Sequence, residues 1–310
     1  MTRPCSLFAA THERALRAAL HRHLPAAAQA EPRLVAALAQ GAAHPGKLLR
    51  GRLVLAAAHR HGLGARRASK IACAVEYFHT SSLLLDDLPC MDDAVVRRGQ
   101  PCVHRRHGEA TAILAALALI NRAYALVGEA LVTQPLRVRA RAVAWLDRSL
   151  GLAGLVGGQA WDLAFARSTR SPALVSRIAA GKTGALFVLA VQLPATLARP
   201  SRAEQRALDA LCIYWGQLYQ IADDLSDVTA CTAVSGKTSG RDRQLARPNL
   251  AVALGSARAQ ARLVRLSGQA ERALTTLRAR GGGRWDYLWE LHAALVRLPA
   301  AHVEAQHHAA

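Results

Sequence analysis

The sequence predicts an all-α protein, and three observations carry that expectation. Hydrophobic residues make up 52% of the 310 positions while aromatics make up only 5%, and the apolar share is mostly Ala, Leu and Val in long stretches free of Pro and Asn. From Ala15 onward apolar residues recur at helical spacing. Short Gly, Pro or charged joints near 44–46, 62–64, 97–101, 133–136, 168–172, 198–202 and 281–284 then divide the chain into ten or so helices. No Ser/Gly/Pro-rich linker and no fixed-period repeat interrupts them, so a single domain over 1–310 is expected, with residues 1–14 as a loose arm. The segment 228–249 exchanges apolar residues for Thr, Ser, Gly and Arg and reads as a long loop, a feature that in a compact domain tends to serve function.

Charge and cysteines bound the function. Forty Lys and Arg against twenty-one Asp and Glu give a formal net charge of +19, which attracts nucleic acid, acidic membrane or phosphorylated small molecules. Most of the excess is Arg scattered through Ala-rich helices, such as Arg137, Arg139 and Arg141, and reads as solvated surface. No zinc finger, basic recognition helix or basic stretch with interleaved aromatics supports nucleic-acid binding. The six cysteines form no CxxC pair, which argues against a zinc site or a disulfide framework and for reduced thiols in a cytoplasm. No N-terminal signal pattern is evident, and no uninterrupted apolar run reaches the roughly 18–20 residues of a membrane span.

The acidic residues concentrate at two places. Asp86-Asp87-Leu88-Pro89-Cys90-Met91-Asp92-Asp93 follows the apolar run Leu83-Leu84-Leu85. Four carboxylates in eight residues at the end of a buried stretch repel one another and, at a helix C-terminus, oppose the helix dipole. A cation resolves the conflict, and hard carboxylate oxygens suit Mg²⁺. Asp223-Asp224-Leu225-Ser226-Asp227 repeats the problem: Asp223 and Asp227 lie four apart on one helix face, where like charges destabilise unless bridged. Basic residues accompany both clusters: Arg97 and Arg98 after the first, Lys182 and Thr183 in Gly181-Lys182-Thr183-Gly184, and Lys237 with Arg241 beyond the second. The Gly-Lys-Thr is not a P-loop, because Ser176 stands where that frame requires Gly and no strand precedes it.

In this order the motifs resemble those of the trans-isoprenyl diphosphate synthases, over about residues 40–250. Pro45-Gly46-Lys47-Leu48-Leu49-Arg50 resembles the family's GKxxR, Gly158-Gln159-Ala160-Trp161-Asp162 its GQxxD, Lys182-Thr183-Gly184 its KTG, Tyr219 to Asp227 its FQxxDDxxD, and Gly236-Lys237 with Asp242 its GKxxGxD. The resemblance implies an isoprenoid synthase fold, a helical bundle around a central cavity. It implies that Lys47, Arg50, His79 and Arg98 hold the diphosphate of isopentenyl diphosphate. Asp86, Asp87, Asp92, Asp223 and Asp227 would ligate two or three Mg²⁺ on an allylic diphosphate, which Arg97, Lys182, Thr183, Gln220 and Lys237 contact. A homodimer is implied as well.

Within that resemblance Ser81 and Ser82, five and four residues before Asp86, lie roughly 6–7.5 Å down the helix axis. Bulky aromatics there would stop chain growth early; small residues, together with the Pro89-Cys90 insertion that resembles bacterial geranylgeranyl synthases, point to a C20 product with C15 second. Leu48, Gly51, Tyr219 and Arg247 depart from the usual pattern without removing a metal ligand. A terpene cyclase would lack the set of Lys47, Arg50 and His79, and a non-catalytic subunit of a heteromeric synthase would typically have lost one Asp-rich motif.

Overall fold

The computed structural model describes residues 10–167, 171–229 and 249–307. It is almost wholly helical, and it separates into two compact units, Met1–Arg141 and the remainder from Ala142.

The first unit holds α1 (Ala10–His23), α2 (Pro32–Ala43), α3 (Leu49–Arg60), α4 (Ala65–Asp86), α5 (Val103–His107) and α6 (Glu109–Leu131). Helix α2 starts where Pro32 presets the first turn and the Glu31 carboxylate accepts from the Leu34 amide at 2.8 Å. The 22-residue α4 packs most extensively on α6. Small side chains allow a close approach: Ala112, Ala115, Ala116, Ala123 and Leu126 of α6 are fully buried, as are Ile71, Ala72 and Val75 of α4. Helix α1 begins inside the stretch expected as a loose arm, because Glu13 pairs with Arg17 at 2.9 Å and with Arg52 of α3 at 3.3 Å.

The expected joint at 97–101 is a β-hairpin. Strands β1 (Val96–Arg97) and β2 (Gln100–Pro101) pair antiparallel, and the two turn residues have positive φ, 54° at Arg98 and 74° at Gly99. That is the turn whose twist matches paired strands. Arg98 adopts it without the freedom of glycine.

The second unit contains α8 (Leu155–Ala164), α9 (Pro172–Ala179), α10 (Ala185–Ala198), α11 (Arg202–Thr229), α12 (Leu250–Leu254), α13 (Ser256–Gly281) and α14 (Tyr287–His307); α7 (Leu136–Leu150) crosses the boundary. Between α9 and α10 the chain widens into a π-turn, Ala180–Gly184, a distortion that recurs at functional sites. Helix α11 packs along α13, and Trp215, Trp285, Phe187, Leu208, Leu211 and Leu277 form the core, each at most 1% exposed. Two helical stretches, Glu109–Leu131 and Pro172–Ala198, are long and apolar enough to cross a membrane by length and composition, with 39% and 56% of their windows buried.

Candidate active site

Helix α4 ends at Asp86, with Asp87 as its cap. Pro89 disfavours further helix for the residue before it, and the chain folds back so that the amides of Asp92 and Ala94 donate to the carbonyls of Asp86 and Asp87, at 2.9 and 3.1 Å. All four carboxylates of the motif are thereby gathered at one helix end. Asp87 is buried and Asp86 and Asp92 are half-buried. The cation beside Asp87 is Arg97, at 2.6 Å. Burial pushes the Asp87 carboxyl up; Arg97 and a hydrogen bond from the Cys102 thiol oppose that, and the same pairing helps hold the thiol at about 12. Arg97, assigned by resemblance to substrate, is in this geometry the counter-ion of a buried carboxylate. Arg105 pairs with Asp93 at 2.6 Å.

Positive φ at Arg98 carries its guanidinium across to the turn before α3, where it donates to the His44 carbonyl. Gly46 lies against the guanidinium so closely that a Cβ there would stand 2.8 Å from Arg98 Cζ. Lys47 is exposed beside it and Arg50 is buried. Glu76 is also buried and accepts from the Gly51 amide at 2.6 Å. Burial raises its carboxyl, and the Gly51 amide, Arg50 and Arg98 counteract the rise. Lys47, Arg50 and Arg98 therefore collect around one turn, which a buried carboxylate braces from beneath. His79 is half-buried one face along α4, its carbonyl taken by Ser82 Oγ at 2.9 Å. Ser81 Oγ turns back to the Phe78 carbonyl at 2.9 Å, so both serines present small, internally satisfied side chains.

In the second unit the π-turn is clamped on two sides by glycines. At Gly158 of α8 a Cβ would meet Lys182 N at 2.2 Å, and at Gly216 of α11 it would meet Gly184 Cα at 3.0 Å. Between these crossings Lys182 Nζ donates to the buried Asp162 at 2.8 Å. Thr183 Oγ1 donates to Gln220 Oε1 at 2.7 Å, and Gln220 Nε2 donates to Asp224 at 2.6 Å. The second oxygen of Asp224, a buried group, accepts from the Leu250 amide at 2.6 Å. Asp224 is thus committed to the fold, while Asp223 is half-buried. Lys237, Arg241, Asp242 and Arg247 lie outside the described residues, as does the side chain of Asp227.

Among the described residues no three Asp, Glu, His or Cys side chains form a group that could hold a metal ion. The donor chemistry nonetheless fits Mg²⁺, which typically takes one or two protein carboxylates and completes its shell with water and substrate phosphate. Asp86 at the end of α4, Asp92 in the turn that follows it, and Asp223 on α11 are half-buried oxygen donors of that kind. Sequence reasoning gave no role to Asp162, Cys102 or Glu76. Asp162 was within reach as the last residue of the Gly158–Asp162 motif; Cys102 and Glu76 carry no signal until the fold places them against Asp87 and Gly51.

An almost wholly helical fold with one carboxylate-rich segment at the end of α4 and another in α11, and with Arg97 and Lys182 paired to the buried Asp87 and Asp162, defines a protein suited to phosphorylated anions and a hard cation. Residues 31–277 match the polyprenyl synthetase family, and the chain belongs to that family. It is 39% identical over 209 residues to the geranylgeranyl diphosphate synthase of Pantoea ananas, covering 67% of this chain and 68% of that one. It is 37% identical over 246 residues to the farnesyl diphosphate synthase of Escherichia coli (strain K12), covering 79% and 82%. The fold matches an FPP/GFPP synthase from Zymomonas mobilis with a TM-score of 0.78 at 30% identity, over 92% of this chain and 96% of that one. It also matches a Helicobacter pylori geranyltransferase complexed with magnesium and isoprenyl diphosphate, with a TM-score of 0.81 at 25% identity over 95% and 98%.

Proposed function

We propose that this chain condenses isopentenyl diphosphate with allylic diphosphates and releases geranylgeranyl diphosphate. The observation that carries the reading is the pair of cation sets: Lys47, Arg50 and Arg98 around the turn before α3, where Arg98 donates to the His44 carbonyl and Glu76 anchors the Gly51 amide, and Lys182 fixed by the buried Asp162. In this reading Lys47, Arg50, His79 and Arg98 bind the diphosphate of the isopentenyl substrate. Lys182 and Thr183 orient the allylic diphosphate together with Gln220 and Lys237. Asp86, Asp87, Asp92, Asp223 and Asp227 are the residues that would hold two or three Mg²⁺, and Arg97, which pairs with Asp87, would meet the allylic diphosphate. The bound metal supplies neutralisation of charge on the departing diphosphate.

The chemistry proceeds by ionisation, condensation and proton loss. The allylic C–O bond breaks, and the diphosphate leaves with the electron pair onto oxygens that Lys182 and the other cations stabilise. The isopentenyl double bond attacks the resulting allylic cation to form the new C–C bond. A proton then leaves the adduct for the released diphosphate and a double bond returns, so the chain needs no nucleophile of its own. Apolar helices must exclude water while the cation exists.

Product analysis tests this with the purified protein, Mg²⁺, isopentenyl diphosphate and, separately, dimethylallyl, geranyl and farnesyl diphosphates. A C20 product from each primer is the expected outcome. A product that stops at C15 would keep the activity and overturn the role of Ser81 and Ser82 as an open floor; no condensation with any primer would overturn the activity itself.

We further propose that the protein acts in the cytoplasm as a homodimer. Helix α6 exposes Ile113, Leu114, Leu117 and Tyr124 at 39–54%, an apolar face that a second copy would cover. Light scattering at micromolar concentration should return about twice the 33.1 kDa chain mass. A monomeric wild-type chain would overturn the dimer, and a dimer that Leu117→Glu leaves intact would remove that face as its interface.

A further inference from the structure

A second concentration of positive charge lies in the first unit, away from the Asp-rich motif at the end of α4. A cleft of about 530 Å³ opens between α1, the start of α4 and the second half of α6, within the range of small-molecule sites of about 300–1,000 Å³. Four cations line it, Arg22, Arg66, Lys70 and Arg122, against a single carboxylate, Glu129. That carboxylate binds Lys70 at 2.5 Å and Arg122 at 2.7 Å and so fixes both cations without balancing them. Arg22 and Arg66 have no carboxylate partner among the described residues. The ring of His23 stays neutral to a lower pH than an ordinary histidine, through its burial and then through Arg122, Lys70 and Arg22. Ala15, Ala18, Ala19 and Ala65, with Ser69, supply the rest of the lining. None of the residues assigned to substrate or metal lies there, and Lys70 precedes Asp86 by 16 residues, roughly 24 Å along α4.

We propose that this cleft is a second binding site for a phosphorylated amphiphile, with the phosphate or diphosphate on the four cations and the apolar tail against the alanines. Guanidinium groups suit phosphate oxygens through paired hydrogen bonds, and a cleft of this volume is far larger than a phosphate alone requires.

The test uses the full chain in EDTA, with calorimetric titration of inorganic pyrophosphate and of geranyl diphosphate. Arg98→Ala disables the candidate isopentenyl site, and Arg22→Ala/Arg66→Ala disables the cleft through two exposed side chains whose loss leaves the fold and the condensation rate intact. The expected result is that Arg98→Ala keeps one equivalent of binding, tighter for geranyl diphosphate than for pyrophosphate, and that the double variant weakens that equivalent at least tenfold. Loss of all binding in Arg98→Ala, or wild-type affinity at this equivalent in the double variant, overturns the site; equal affinity for the two probes overturns the place given to the tail. Flotation with phosphatidylglycerol vesicles separates the sources. Capture that requires Arg22 and Arg66 assigns the ligand to a lipid headgroup, and calorimetric binding without capture assigns it to a free phosphorylated metabolite; each supports the site.

Discussion

A Cβ on Gly46 would stand 2.8 Å from Arg98 Cζ, on a backbone whose φ is +71°. Alanine there is strained twice: it resists the left-handed conformation by roughly 1–2 kcal/mol, and it displaces a guanidinium that the His44 carbonyl and the positive φ of Arg98 have aimed. Gly46→Ala should therefore raise KM for isopentenyl diphosphate about tenfold, with a smaller change in kcat and in KM for the allylic partner. Steady-state kinetics with each substrate varied in turn would check this, and an unchanged KM for isopentenyl diphosphate would detach the turn from that substrate. At this scale the sequence offers candidates where chemistry is written in residue type: Asp86 and Asp92 stand out by charge and spacing and Lys182 as a basic residue accompanying the acidic clusters, whereas Lys47 is singled out only by the resemblance of its motif. The sequence is silent where the role depends on a neighbour distant in the chain. Nothing in the run around Arg97 says that it is the partner of Asp87, or that Thr183 and Gln220, 37 residues apart, bond each other.

The π-turn Ala180–Gly184 owes its position to helix crossings that no local pattern encodes. Gly158 meets Gly181 and Lys182, Gly184 meets Gly216, and the turn between carries Lys182 and Thr183. Because the Cβ of alanine at 158 would fall 2.2 Å from a backbone nitrogen, relief requires moving α8 or the turn rather than rotating a side chain. Gly158→Ala should cost about 3 kcal/mol or more in urea denaturation, accompanied by a loss of activity. Gly128 in α6 supplies the contrast: a Cβ there meets nothing within 4 Å, so Gly128→Ala should stabilise by about 0.5–1 kcal/mol through helix propensity alone. If the two substitutions behaved alike, the crossing would not be as tight as the geometry states. The elements themselves were mostly legible, since Ala/Leu periodicity and Pro or Gly joints predict the breaks near 44–46, 62–64 and 198–202. The hairpin at 96–101 was not, because two-residue strands have no periodicity to read and Arg is an unexpected residue for a turn with two positive φ values.

Across the whole molecule the formal charge is +19, and among the described residues Glu204 is the buried carboxylate whose pKa is most clearly lowered. Only 2% exposed, it binds Arg284 at 2.5 and 2.6 Å, the Trp285 indole at 2.8 Å and the Ser201 amide at 2.8 Å. Burial alone would raise its carboxyl, yet Arg284, Trp285 and Ser201 outweigh burial and bring it from 4.5 to about 2. A carboxyl depressed in the folded state contributes stability that is fully present above the unfolded value and is lost as pH falls toward the folded one. The native protein should therefore lose stability progressively between about pH 4.5 and pH 2. Glu204→Gln removes the titration and weakens the hydrogen bonds from Arg284, whose partly exposed guanidinium water then solvates, so the variant should be less stable at pH 7 by roughly 1–3 kcal/mol and should show a shallower decline across the acid range. Urea midpoints measured at half-unit pH steps for both proteins would decide it. Parallel curves from pH 5 to pH 2 would mean that Glu204 is not the group whose protonation loosens the second unit. The sequence places Glu204 and Arg284 80 residues apart in unlike contexts, and only the packing of α11 against the turn after α13 brings them into the pair on which the predicted acid dependence rests.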